Sequence, residues 1–251
     1  MKLPTGAGTP APDPAAFQDA TAACRTVSSI TGEIGISGSV EGRRLRARVL
    51  AGLASPESVR LEAVAPFGQP FFIFVARSGN ATLLLPRDGR VLERGSPQAV
   101  LEAIAAVPLD AAALREALTG CTDLSETGTV RALNEDWRMV SAGTREVYLH
   151  RESRQAPWRL VAIIHHEPGR PAWRSEYREF TVGPSGNLPR AIRFKSTDSD
   201  RFDLRLTLSQ VEVNVTLEPG VFEVRVPSGA RSITLDELKA TGPLGNGSDD
   251  R

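Results

Sequence analysis

The chain has 251 residues, with 30 Lys and Arg against 30 Asp and Glu and 41% apolar side chains. Zero net charge excludes the strong basic excess of a nucleic-acid binder, and ordinary apolar content excludes a disordered chain. Only two cysteines and three histidines are present, which leaves little scope for metal or thiol chemistry. The longest hydrophobic stretch, Ala63 to Ala76, is broken by Pro66, Gly68, Gln69 and Pro70, and a membrane-spanning helix needs roughly 20 apolar residues.

Residues 1–14 are rich in Pro, Gly and Ala and carry no periodic apolar pattern, so they are expected to form a loose tether. No apolar core of a secretory signal follows Leu3. From Ala15 to Ile30 the apolar residues Phe17, Ala20, Cys24, Val27 and Ile30 recur at helical spacing and predict one helix. The period then changes to two. Leu45, Ala47 and Val49 alternate with Arg44, Arg46 and Arg48, and Val59, Leu61 and Ala63 alternate with Arg60 and Glu62. Ala81, Leu83 and Leu85 continue the pattern after the Ser78-Gly79-Asn80 turn, and Pro86-Arg87-Asp88-Gly89 marks the next reversal. Such alternation describes antiparallel strands with one apolar and one wet face.

A helical interlude follows. Ser96 is placed as a cap before Pro97, with Val100, Leu101 and Ile104 as the apolar stripe, and Val107-Pro108 stops the helix. Asp110 caps a second helix carrying Ala113, Leu114, Ala117 and Leu118, which ends at Gly120. Strands then resume at Thr129–Leu133, Trp137–Ala142, Arg145–Arg151, Trp158–His166, Trp173–Val182, Arg190–Ser196 and Phe202–Val215. The expected fold class is α+β, mainly β. It is a single meandering antiparallel sheet, curved or barrel-like, of about ten or eleven strands with two short helices inserted. One domain is expected over residues 15–241, followed by a loose tail over 242–251.

No nucleophile elbow, phosphate-binding glycine loop or zinc-protease motif is present. In His165-His166-Glu167 the two imidazoles fall on adjacent strand positions and diverge, so the segment reads as a polar strand end. No catalytic residue, metal or cofactor is expected. Cys24 and Cys121 are both helix-associated, and either bridge in an exported protein or remain two buried thiols. Between two strands, Val64-Ala65-Pro66-Phe67-Gly68-Gln69-Pro70-Phe71-Phe72 forces a turn that leaves Phe67 near its tip. That ring either folds back onto the sheet or probes a lipid surface.

In order and spacing, several segments resemble the LolA/LolB superfamily, and more closely the LolB-type outer-membrane lipoprotein receptor. They are the first helix with Thr31–Gly38, the strand Val59–Val64 ending in Ala65-Pro66-Phe67-Gly68, the Ser78–Leu83 hairpin, and Val107-Pro108-Leu109 through Leu114–Gly120. The tryptophan of the family's second lid stretch is replaced around Ala117, and Leu217–Leu238 looks more like the extra C-terminal element of the LolA carriers.

The resemblance implies an incomplete, half-open antiparallel β-barrel with a helical lid over an apolar cavity. Strand candidates for its lining are Leu45, Val49, Leu61, Phe72, Phe74, Leu83, Ile192, Phe194 and Leu206, and lid candidates are Ile104, Leu114 and Leu118. It further implies a non-enzymatic monomer that takes the acyl chains of lipoproteins or other lipids, receives cargo from a LolA-type carrier and touches the outer membrane through Pro66, Phe67 and Gly68. The first 14 residues would then follow a lipidated cysteine, placing the protein in the envelope facing the periplasm. The contrasting expectations are an envelope scaffold whose sheet or Phe67 loop docks a protein, and a hydrolase using His165 or His166.

Overall fold

The computed structural model describes residues 2–11, 14–22, 26–65, 67–122, 128–183 and 186–241. In chain order, β1 (Thr9–Pro10) and α1 (Ala15–Ala20) precede β2 (Ser29–Val40), β3 (Arg43–Ala54), β4 (Ser58–Val64), β5 (Phe72–Arg77), β6 (Asn80–Leu85) and β7 (Arg90–Gly95). Helices α2 (Pro97–Ala105) and α3 (Ala111–Thr119) lead to β8 (Thr129–Ala132), β9 (Trp137–Ala142), β10 (Arg145–His150) and β11 (Arg159–His165). Next come β12 (Trp173–Gly183), β13 (Gly186–Ser196), β14 (Phe202–Val213), β15 (Arg231–Ser232) and α4 (Leu235–Thr241). The strands hydrogen-bond in the order β1-β8-β9-β10-β11-β12-β13-β14-β2-β3-β4-β5-β6-β7-β15, an open, mainly antiparallel sheet to which β15 adds in parallel beside β7. Among the described residues the strands number fifteen where spacing indicates ten or eleven, and β1 and β15 are two-residue additions.

Two compact units can be distinguished, Met1–Val27 with Glu116–Leu206, and Ser28–Arg115 with Thr207–Arg251. In the second unit, local turn chemistry sets the register. Glu41 and Gly42 (φ 50° and 73°) join β2 to β3, and Ser78 and Gly79 (φ 50° and 74°) join β5 to β6. Two consecutive left-handed residues are the two-residue hairpin turn whose twist matches its strands. The ladders then align Ile34, Val49, Ala63 and Phe72 in one cross-strand row, and Ala51, Leu61, Phe74, Leu83 and Leu92 in another. Directly paired residues share a face, so these rows form one apolar surface. The opposite face carries charge, including Arg48 with Glu33 at 3.7 Å and Arg60 with Glu62 at 3.2 Å.

That charged face is not entirely wet. Arg60 also donates to the carbonyls of Val221 and Glu223, both at 3.2 Å, which ties the 3-10 turn Pro219–Phe222 down near β4 and β5. The ring of Phe222 is buried there. Helix α2 packs against β6 and α4 with Val100, Leu101 and Ile104 buried. Its predicted cap, Ser96, makes no side-chain cap bond, and only the Ser96 carbonyl accepts from Val100 N–H. Asp110 does cap α3, since its Oδ1 accepts from Ala113 N–H at 2.7 Å.

In the first unit, the helix predicted over Ala15–Ile30 is only six residues long. Thr21 turns its hydroxyl back onto the Phe17 carbonyl at 2.8 Å, and Ser29 and Ile30 are taken into β2, opposite Ala54 and Leu53. Sheet pairing of a buried Ile30 outweighs the weak helix propensity of this Thr- and Ser-rich stretch. Around β12 an aromatic core forms. Trp173, 2% exposed, stacks on His165 at 3.8 Å and 4° and meets Phe194 and Phe202 edge-on at 5.9 and 6.1 Å. On the other side of β12 the buried Glu176 carboxylate lies 2.6 Å from Arg174 and 3.3 Å from Arg178.

Candidate functional site

The loop between β4 and β5 is closed at its base by Phe71 N–H donating to the Ala63 carbonyl at 2.9 Å. Gly68 turns it with φ 78°, a conformation that costs a residue with a Cβ about 1 kcal/mol. Phe67 stands out of the loop with 89% of its surface exposed, and Phe71 is 38% exposed. Pro66 lies outside the described residues.

The loop is held from the next hairpin. The β5–β6 ladder sets Ile73 opposite Leu84, so the residues beyond each strand end become neighbours. Arg87, in the 3-10 turn Pro86–Asp88, there donates through Nε to the Gln69 carbonyl at 3.1 Å and through Nη2 to the Phe67 carbonyl at 3.3 Å. Its guanidinium lies 4.0 Å from the centre of the Phe71 ring. Phe67 is therefore an exposed aromatic on a braced loop.

The candidate lining residues separate by unit. Val49, Leu61, Phe72, Phe74 and Leu83 lie on the shared apolar face of β3–β6, and all are buried. Leu45, further out on β3, is half-buried. Ile104 and Leu114 are buried on α2 and α3. Leu118, Ile192, Phe194 and Leu206, in the first unit, are buried as well. A half-open cleft of about 350 Å³ in the first unit is lined by His150, Glu152, Arg159, Arg178 and Glu179 beside Phe180. Ala156, Pro157 and Val161 complete its lining, so its walls are mixed rather than apolar.

His165 and His166 diverge. His166 is exposed and sits 3.4 Å from Glu146, while His165 lies directly opposite Trp173 in the β11–β12 ladder. Burial, with smaller contributions from the Arg145 and His166 charges, pushes the His165 pKa down to about 3. Ser175 Oγ, 3.5 Å from His165 Nε2, accepts the Tyr177 hydroxyl at 3.1 Å and is fully buried. A nucleophile without access and a base this weak give no acyl-transfer machinery. Among the described residues no cluster of His, Cys, Asp and Glu is arranged to hold a metal. Cys121 is disulfide-bonded, and Cys24 lies outside the described residues. Among the described residues no helix is long and apolar enough to cross a membrane.

No family sequence model and no curated protein matches the chain. Solved structures do. A LolA superfamily protein from Nitrosomonas europaea superposes with a TM-score of 0.54 at 12% identity, covering 82% of this chain and 97% of that one. The chain has the LolA-type fold. A DUF1329 family protein from Desulfovibrio piger shares it (TM-score 0.53, 10% identity, 83% and 97% covered). So does a domain assigned to outer-membrane lipoprotein sorting in Vibrio parahaemolyticus (TM-score 0.51, 10% identity, 78% and 89% covered). In this LolA-type fold, Phe67 could be recognised as a loop tip from its flanking proline and glycine. Arg87 could not, because its loop partners lie 18 and 20 residues earlier and are joined to it only by the hairpin register.

Proposed function

We propose that the protein is a non-enzymatic lipid-binding protein of the bacterial envelope, placed like a LolB-type receptor to take acyl chains and release them into the outer membrane. The observation that carries this reading is Phe67, whose ring stays in water on a braced loop. Full burial of a Phe side chain stabilises by about 1.5–3 kcal/mol, so a fixed exposed ring is matched to an apolar phase. The LolA-type fold supports an acyl-chain ligand, and the Cys121 disulfide supports an oxidising compartment. Within this reading, Cys24 is the partner of Cys121. The protein acts as a monomer, and a LolA-type carrier supplies the lipoprotein.

Apolar side chains on the shared face of β3–β6 would make way for the chains, each methylene contributing about 0.8 kcal/mol on burial. Their burial in the present state also favours a second reading, an envelope scaffold whose interior stays filled by its own side chains.

A Phe67→Glu variant tests the loop. Stability should be unchanged, because the ring contributes little to the folded core. Transfer of an acylated lipoprotein from the protein to phospholipid vesicles should fall by roughly 10- to 100-fold, the equivalent of losing one inserted ring. Transfer at the wild-type rate would remove the loop from the mechanism.

A further inference from the structure

We propose that Arg87 binds a phospholipid headgroup phosphate and gives the Phe67 loop a preference for anionic membranes; this rests on the membrane contact assigned above to Phe67. A guanidinium has five N–H donors in a planar fork. Two of them hold the carbonyls of Gln69 and Phe67, and the remaining three have no partner among the described residues. The residue is exposed, and the adjacent carboxylate, Asp88, is paired with Arg90. An uncompensated cation thus sits at the base of an aromatic that is 89% exposed.

A ring inserted past the headgroups brings whatever lies at its base to the level of the phosphates. The planar fork matches phosphate oxygens in a way a lysine ammonium does not. The guanidinium rests 4.0 Å over the Phe71 ring, and the residue is exposed to solvent. The whole chain has no net charge to attract an anionic surface, so any such preference has to come from local groups.

The experiment measures binding of the full chain to vesicles of phosphatidylcholine, with and without phosphatidylglycerol. Wild type should bind the anionic vesicles about five-fold more tightly at low salt, the scale of one basic residue near such a surface. The preference should vanish near 1 M salt, where the screening length is about 3 Å. Arg87→Gln should weaken binding to anionic vesicles about five-fold more than binding to neutral ones, whose phosphates carry a choline ammonium and where the lost brace on the Phe67 loop is the main effect, and Arg87→Lys should restore part of the anionic preference. An undiminished preference in Arg87→Gln would overturn the proposal. So would equal loss on both vesicle types, which makes Arg87 a brace for the loop and nothing more. If Phe67→Glu binds neutral vesicles as well as wild type, the membrane contact of the loop itself fails, whatever Arg87 does.

Discussion

Replacing Trp173 by Ala should lower the unfolding free energy by about 3–5 kcal/mol, the usual cost of deleting a large buried aromatic. Trp173 is 2% exposed, stacks face to face on His165 and meets the edges of Phe194 and Phe202. Its indole N–H donates to Glu167 at 3.3 Å, so the variant loses a hydrogen bond along with the packing. No neighbouring chain segment is free to fill the space, because Trp173 is held in ladders with both β11 and β13. A thermal shift on the order of 10 °C follows for a chain of this size. Denaturant unfolding of the two proteins checks this, and a loss under 1 kcal/mol would mean that the stack contributes little.

The second large effect is an acid destabilisation centred on the same stack. An unfolded histidine titrates near 6.5, whereas His165 in the fold titrates at about 3. Its native pKa is depressed, so between these values the unfolded chain binds the extra proton. Stability is therefore complete above about pH 6.5 and declines as pH falls towards 3, by up to 1.4 kcal/mol per pH unit. A His165→Phe variant keeps an aromatic against Trp173 but cannot titrate. From pH 6.5 to 4 the wild type should lose about 3 kcal/mol more than this variant. Parallel stability curves would mean that His165 titrates normally in the fold.

Much of the β framework can be read from residue order, and the reason is visible in particular strands. Val59, Leu61 and Ala63 alternate with Arg60 and Glu62, and the former are buried while the latter are half-buried. The same parity runs through Phe202, Leu204, Leu206 and Leu208. Two-residue turns such as Ser78-Gly79 then fix the register without help from distant residues. The helix over Ala15–Ile30 fails because helical spacing says nothing about a strand partner, and Ile30 finds one in Leu53. The Thr234–Glu237 spacing that caps α4 is a capping box in plain view. Thr234 N–H donates to Glu237 Oε2 at 2.8 Å, and Glu237 N–H donates back to Thr234 Oγ1 at 3.2 Å. Without the strand β15 and the Phe222 anchor that precede it, nothing in the local pattern marks this segment as packed. At the candidate site the limit is the same. The loop that displays Phe67 is written in consecutive letters, whereas the Arg87 brace depends on two hairpins lying side by side.

Acyl-chain uptake by the interior is read by displacement of a bound probe. The purified chain is loaded with an environment-sensitive hydrophobic fluorophore and titrated with a triacylated lipopeptide and, separately, with the same peptide lacking acyl chains. Saturable loss of fluorescence with the acylated peptide alone is the predicted result. No fluorophore uptake, or equal displacement by both peptides, would contradict it and leave a scaffold whose core is filled by its own side chains.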